Sequence, residues 1–321
     1  MKRFKNILFL ADHVPIPTRA IGRAIQLAKT NQARLTVLAV GTVPDPSIID
    51  TPAGNSLANA LQIDLLAGID DALMQLDPQD REGITIHSRA ELGVPFVVAI
   101  QTVAHDRHDL VIKAAERPSG NVERLFGSTD MHLLRKCPCP VWLQPDALGA
   151  QYARIVAAID PLSEPGSEPG SGAALDRTIL ELATSMAMAE GAELHVVHAW
   201  RLADEGLLRR SRGRGLLSHV ELDQITERME ARHRAAMNDA LTDFRALPVT
   251  IHEHLVKGWP NEAILKLARD KRASLIVMGT VGHTRLPGFF IGNTAENVLS
   301  ESPCGVLAIK PVGFVSPVLA A

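Results

Sequence analysis

Residues 275–282 read LIVMGTVG, a short apolar run that leads into two glycines. Nine residues later, Gly292-Asn293-Thr294 opens a stretch with helical character. Glycine has no Cβ, so a ligand can approach its backbone closely, and a helix N-terminus offers N–H groups and a dipole that favour an anion. The pattern predicts a strand, a phosphate-binding loop and a helix start. The alternative is that the glycines only form tight turns.

The surrounding sequence occurs twice, because residues 84–143 align without a gap on residues 249–308. The identical positions concentrate at glycines and prolines, which set backbone geometry and therefore indicate a shared fold. A chain of 321 residues is also long enough for two domains. We predict one domain at residues 1–148 and a related domain at residues 153–321, with the junction within residues 144–152.

Each copy alternates short runs of Val, Ile and Leu with helical stretches, a pattern typical of a parallel sheet covered by helices on both faces. The predicted strands lie near 6–11, 34–40, 83–89, 109–113 and 140–144, and near 154–159, 193–199, 248–255, 274–278 and 305–310. The predicted helices lie near 17–31, 57–76, 94–105 and 128–136, and near 174–190, 218–245, 260–271 and 294–301. The expected fold class is therefore α/β, with a five-stranded, Rossmann-like sheet in each copy.

Two strand ends in the second copy carry further candidate residues. Ligands of open α/β sheets bind at the carboxyl ends of the strands. The first strand of this copy ends at Ala158-Ile159-Asp160, and the second ends at His198-Ala199-Trp200. A carboxylate such as Asp160 accepts hydrogen bonds from a sugar, and Asn293 and Thr294 add side-chain donors at the helix start. Together with the glycine loop, these positions predict a site for a phosphorylated ligand.

The first copy keeps only part of this pattern. Ala114 stands where the second copy has Gly279, and Arg117 stands where it has Gly282. A Cβ at the first position and a long side chain at the second would crowd a phosphate chain, although the strand-end Asp12 is retained. We therefore expect ordinary nucleotide binding in the second copy only.

These residues resemble the universal stress protein family, whose nucleotide-binding members carry G-x-x-G, nine residues, and then Gly followed by Ser, Thr or Asn. The resemblance covers both halves of the chain. The tandem arrangement, the run HLLRKCPCPVW at residues 132–142 and the ending near residues 310–315 are similar to the bacterial E-type subgroup. The resemblance implies a five-stranded parallel sheet in each half. It also implies that the last strands, Val141–Gln144 and Val306–Ile309, join the halves into an internal pseudo-dimer.

The resemblance further implies a regulatory protein of the stress response whose second half binds an adenine nucleotide, ATP, ADP or AMP. The residues carried over as the nucleotide site are Ala158, Asp160, Ala199, Met278, Gly279, Thr280, Gly282, Gly292, Asn293 and Thr294. We expect binding to order the loop at residues 163–172 and to change the affinity for a protein partner. Mg²⁺ as a companion of ATP, the identity of that partner and further homodimerisation stay open from the sequence.

Composition narrows the function classes. A net charge of −3 provides no basic field that would attract nucleic acid. No run approaches the roughly 18 apolar residues that a membrane span requires. The basic N-terminus is not followed by a small-residue cleavage site, so we expect a cytoplasmic protein. The three cysteines, Cys137, Cys139 and Cys304, are interpreted as structural.

The sequence contains no G-x-S-x-G, no H-E-x-x-H and no Walker lysine. Binding is therefore favoured over turnover. One alternative is slow ATP hydrolysis, for which Asp160 and Glu296 are the evident acids. Another is a scaffold that binds a different small ligand or a protein. His252 and His254 share a strand face and could bind a metal, but the pattern favours solvated histidines, and we assign no metal site from the sequence.

Overall fold

The computed structural model describes residues 4–42, 51–115, 128–145, 152–162, 171–202, 218–280 and 292–319. Its strands are β1 (Asn6–Ala11), β2 (Arg34–Gly41), β3 (Ile86–Leu92), β4 (Leu110–Ala114), β5 (Val141–Gln144), β6 (Arg154–Ala158), β7 (Glu193–Trp200), β8 (Ile251–Lys257), β9 (Leu275–Gly279) and β10 (Gly305–Ile309). Its helices are α1 (Thr18–Asn31), α2 (Pro52–Met74), α3 (Pro78–Arg81), α4 (Pro95–Asp106), α5 (Ser128–Lys136), α6 (Ser171–Glu190), α7 (His219–Leu241), α8 (Pro260–Asp270) and α9 (Asn293–Glu301). None of these helices combines the length and the apolar content that a membrane crossing requires.

The strands form one ten-stranded sheet in the order β3-β2-β1-β4-β5-β10-β9-β6-β7-β8. Within each half the strands are parallel and follow the order third, second, first, fourth, fifth. The halves meet through β5 and β10, which pair antiparallel with Val141 opposite Ala308 and Leu143 opposite Val306. The predicted α/β fold is confirmed, together with the joining of the two halves through their last strands.

Helices cover both faces of the sheet, which explains why the central strands are apolar along their whole length. All six residues of β1 are buried. One core lies between the sheet and α1, α2, α6 and α7, and the other lies beneath α4, α5, α8 and α9. With few aromatic residues available, both cores consist mainly of Ala, Val, Ile and Leu. Parallel strands buried on both faces bring their carboxyl ends together at one end of each half.

The structure corrects several predicted boundaries, and three of them have a clear local cause. The third strand of each half was predicted about three residues too early, since β3 begins at Ile86 and β8 at Ile251. Both are edge strands whose exposed positions tolerate charged and polar residues, which blurred the apolar pattern. The helix predicted to begin near residue 57 instead begins at Pro52, because Thr51 caps it by accepting a hydrogen bond from the Gly54 N–H.

Side chains also connect the two halves. The buried Lys310, which follows β10, donates from Nζ to the carbonyl oxygens of Leu134 at 2.6 Å and Arg135 at 3.2 Å. A cation at this position favours the C-terminal end of α5 through the helix dipole. Burial lowers the pKa of Lys310 to about 8. The Arg135 side chain pairs in turn with Glu296 of α9.

A buried ion pair joins α1 of the first half to α6 of the second. The Arg23 guanidinium lies 2.8 Å from Glu190 Oε1, and both side chains are almost inaccessible to solvent. The same guanidinium packs 4.0 Å from the centre of the Tyr152 ring and 5.5 Å from that of Trp142. Arg23 therefore supports the interface through both charge and packing.

We predict that Arg23→Met lowers the free energy of unfolding by about 3 kcal/mol, because it leaves the Glu190 carboxylate buried without this partner. The measurement is chemical denaturation followed by circular dichroism. The control is Arg177→Met, which removes an exposed arginine of α6 paired with Glu181 and should cost less than about 1 kcal/mol. Equal losses for the two variants would contradict a role of Arg23 at the interface.

Candidate functional site

The strand order creates one crevice in each half. In each half, the second strand lies on one side of the first and fourth strands, and the fifth strand lies on the other side. The strand order therefore reverses between β1 and β4 in the first half and between β6 and β9 in the second half. Open α/β sheets bind ligands at such reversal points, outside the carboxyl ends of the strands. Residues that follow β6, β7 and β9 therefore define the second cleft, and residues that follow β1 and β4 define the first.

The register of the second half brings the predicted strand ends together. Ala158 on the central strand β6 pairs with Val197 of β7 on one side and with Met278 of β9 on the other. Two residues further along these three chain segments come Asp160, Ala199 and Thr280, which therefore all lie at the carboxyl end of the sheet.

Asp160 stays open to solvent while its backbone is fixed. Its side chain is about half exposed, whereas its N–H donates to the carboxylate of the buried Asp176 on α6, at 3.0 Å from Oδ1. The carboxylate is therefore accessible from solvent, and the backbone of Asp160 is held at the cleft by α6.

The start of α9 is tied to the end of β9. The Thr280 N–H donates to the Ile309 carbonyl at 3.0 Å, and the Gly292 N–H donates to the Thr280 carbonyl at 3.1 Å. The helix has Gly292 as its N-cap and has no side-chain cap. The N–H groups of Asn293 and Thr294, in the first turn, have no acceptor within the helix, as at any helix start. This end is thus placed and oriented for an anion.

Two of the predicted site residues make contacts within the protein. Thr280 is fully buried, and its hydroxyl donates to the Ile309 carbonyl at 3.4 Å. Its side chain therefore makes a hydrogen bond within the protein. At Gly279 an added Cβ would lie 2.8 Å from Cδ2 of Leu175, which belongs to α6. A side chain here would require Leu175 to move, so glycine allows α6 to pack closely on β9, a role that spacing alone did not reveal. Gly282 lies outside the described residues, as do residues 163–170 of the predicted loop. The last two residues of that loop, 171 and 172, belong instead to the start of α6.

Two histidines that the sequence did not single out lie beside this cleft. The buried His198 of β7 places Nδ1 3.9 Å from Asp160 Oδ1, and its Nε2 lies 2.8 Å from Nδ1 of His233 on α7. The His233 ring stacks on Trp200 with centroids 5.2 Å apart. Burial lowers the pKa of both His198 and His233 below the ordinary value. The sequence predicted that His198 lies at a strand end, but it could not predict that His233 of α7 faces it.

The first cleft has a different interior. Lys113 of β4 is fully buried, with Nζ 3.0 Å from Asp12 Oδ1 and 2.9 Å from Asp130 Oδ1. Both carboxylates are also almost fully buried. In the aligned second half, Met278 and Ala295 occupy the positions of Lys113 and Asp130. The first-strand aspartate is thus held inside the protein in one half and is open in the other.

Comparison with known proteins agrees with an α/β protein built from two related units. Residues 3–145 and 151–310 each match the model described as the Universal stress protein family, and the chain belongs to this family, with two of its domains in tandem. Universal stress protein E of Salmonella typhi is 33% identical over 227 residues, which cover 70% of this chain and 68% of that protein. The similarity to the E-type proteins predicted from the sequence is confirmed.

Full-length similarity is also found. The Universal stress protein E homolog of Haemophilus influenzae is 25% identical over 317 residues, which cover 96% of this chain and 98% of that protein. A solved structure of a functionally unknown protein from Pseudomonas aeruginosa is 25% identical and has a TM-score of 0.70, covering 97% of this chain and 94% of that one. A universal stress protein from Archaeoglobus fulgidus shares the fold at a TM-score of 0.59 and 20% identity, over 95% of this chain and 98% of that one.

We predict that Lys113→Met lowers the free energy of unfolding by about 3 kcal/mol or more, because two carboxylates then lose the buried cation between them. Adding Asp130→Ala to this variant copies the second half and should recover more than half of the loss. Urea denaturation of both variants gives the comparison. A double variant less stable than the single one would contradict the interpretation of Lys113 as the counter-ion of both acids.

The histidines beside the second cleft give a pH dependence with a defined sign. A histidine whose pKa is lower in the folded than in the unfolded chain opposes folding once it must take up a proton. The free energy of unfolding therefore decreases as the pH falls below about 6.5, the pKa of the histidine in the unfolded chain. The decrease continues until the pH has passed the lower pKa of the folded chain. We predict that His198→Gln makes the loss of stability between about pH 6.5 and 5 less steep. The control is His87→Gln, which changes an exposed histidine. An identical dependence of stability on pH for His198→Gln and the parent would contradict a contribution of His198.

Proposed function

We propose that the second half binds an adenine nucleotide and that the protein acts by binding rather than by turnover. The observation that carries this proposal is the meeting of Asp160, the end of β7 and the uncapped start of α9 at the reversal point of the second half. Such a cleft offers a carboxylate for the ribose hydroxyls and helix N–H groups for the phosphates. Membership of the universal stress protein family supports the proposal.

We assign the ligand to the second half because buried side chains of the protein itself surround the strand-end aspartate of the first cleft. Lys113 and Asp130 enclose Asp12, so the carboxylate that would face a ribose is already paired. The buried acids would also repel the phosphates of a nucleotide. The proposed stoichiometry is therefore one nucleotide for each chain. The proposed domain boundaries remain residues 1–148 and 153–321.

The contacts of Glu296 favour binding over hydrolysis. Of the two acids that the sequence offered for positioning a water molecule, Glu296 is paired with Arg135 across the interface between the halves. Asp160 is the other of these two acids, and its proposed role is to bind the ribose. Mg²⁺ would enter with ATP as a companion of the phosphates. Nucleotide binding would act on a protein partner through the segment at 163–172, which directly follows the cleft residue Asp160 along the chain.

Isothermal titration of protein stripped of bound ligand, with ATP and AMP in separate runs, tests this function. We expect Asp160→Ala to weaken nucleotide affinity about ten-fold or more, as for loss of a hydrogen bond to a charged group. Glu301→Ala changes an exposed acid at the opposite end of α9 and serves as the matched control. Absence of heat with both nucleotides, or equal affinities for the two variants, would overturn the proposal.

A further inference from the structure

A cluster of histidines lies at the amino-terminal end of β7 and β8, the end of the sheet opposite to the second cleft. Glu193 and His195 alternate along β7 and so share one face, and His195 pairs in register with His252 of β8. We infer that Glu193, His195 and His252 bind a divalent transition-metal ion, with zinc best suited to these donors. Imidazole nitrogen and carboxylate oxygen are both ordinary zinc ligands.

The three ligand atoms are already grouped at distances close to those of a metal site. Glu193 Oε2 lies 3.5 Å from His195 Nε2 and 4.0 Å from His252 Nε2, and all three atoms lie within 4.8 Å of one another. Bonds of about 2.0–2.1 Å to a tetrahedral zinc ion place its ligand atoms roughly 3.3 Å apart. Closing the remaining gap requires rotation of the Glu193 and His252 side chains, and both of them are exposed.

The hydrogen bonding of His195 points independently to a ligand. Its ring is buried, and its Nδ1 lies 3.1 Å from Nε2 of His254. Its Nε2 is buried and has no hydrogen-bond partner among the residues that the structure describes. A ring that donates from Nδ1 to His254 directs the lone pair of Nε2 towards the Glu193 carboxylate, an arrangement that a cation between them stabilises. Metal-binding histidines commonly donate their second ring N–H in this way.

The first half provides a natural comparison, because it has the same strands in the same register. His87 aligns with His252, and its partner across the strands is Thr36, at the position of His195. Arg34 and Arg89 occupy the positions of Glu193 and His254. The first half thus keeps a single histidine surrounded by arginines, which would repel a cation. The fold therefore does not require the cluster, which belongs to the second half alone.

The proposed coordination leaves room for a further ligand. Three protein donors occupy three positions of a tetrahedral ion, and the half-exposed Glu193 and His252 leave the fourth open to water or to a donor from another molecule. The ion would connect the edge strand β8 to β7, so it should stabilise the folded chain in proportion to its concentration. The site lies apart from the nucleotide cleft, and its test is independent of the proposed function.

Competition between the protein, without an affinity tag, and a chromophoric chelator for Zn²⁺ tests the site. We expect one zinc ion for each chain. We also expect His252→Ala and Glu193→Gln, both changes of exposed side chains, to weaken the affinity more than about ten-fold. His87→Ala, at the matching position of the first half, should bind as the parent does. Co²⁺ substituted for zinc should give the absorption bands of a tetrahedral ion in the parent and weaker bands in His252→Ala.

Three results would overturn the inference. The parent could fail to compete with the chelator for zinc, which would exclude a site of useful affinity. His252→Ala could keep the affinity of the parent, which would exclude His252 as a ligand. His87→Ala could lose as much affinity as His252→Ala, which would show binding to scattered surface histidines. Circular dichroism of each variant, recorded without metal, establishes that the measured losses concern folded protein.

Discussion

The antiparallel pairing of β5 with β10 is the contact on which the arrangement of this protein depends. It merges two five-stranded parallel sheets into one sheet and satisfies the backbone of a strand that would otherwise be an exposed edge in each half. Because the two strands run in opposite directions, the carboxyl ends of the two halves lie at opposite ends of the sheet. The two clefts therefore open away from each other, and a change in one has no direct steric effect on the other.

This separation gives a physical reason why the halves differ so much within one fold. In the first half, the strand-end Asp12 belongs to the interior, where the buried Lys113 pairs with both Asp12 and Asp130. Such groups are expensive to bury, and they are tolerated because each has an opposite charge within hydrogen-bonding distance. In the second half, Met278 and Ala295 stand at the same positions and leave Asp160 accessible. Positions 278 and 295 are therefore two of the places at which the clefts of the two halves differ.

The fold could be predicted from the sequence because its signals are local and occur twice. Apolar runs, helix starts and repeated glycines and prolines located the ten strands that the structure describes. The misplaced strand starts fell on the two edge strands, whose exposed positions carry charge. The strand ends that meet at the second cleft were also predictable, since the topology brings them together once the strands are known. Whether a nucleotide occupies them is not a property of the fold.

The contacts that the sequence could not supply are those between elements far apart in the chain. Lys113 interrupts an apolar strand and so signals a buried charge, yet its partner Asp130 becomes evident only when α5 is placed on the sheet. The same holds for His233 beside His198 and for Leu175 against Gly279, because the rotation of α7 and α6 about their axes is set by packing. His195 was invisible as a ligand for a similar reason, since the register of β7 against β8 decides which histidines meet.

Counting nucleotides on the intact chain is the most direct test of the asymmetry between the two clefts. Native mass spectrometry with excess ATP should show one added nucleotide on the parent. It should show no added nucleotide on the double variant Met278→Lys with Ala295→Asp. This variant places the equivalents of Lys113 and Asp130 beside Asp160. A parent chain that carries two nucleotides, or a folded double variant that still carries one, would contradict the account.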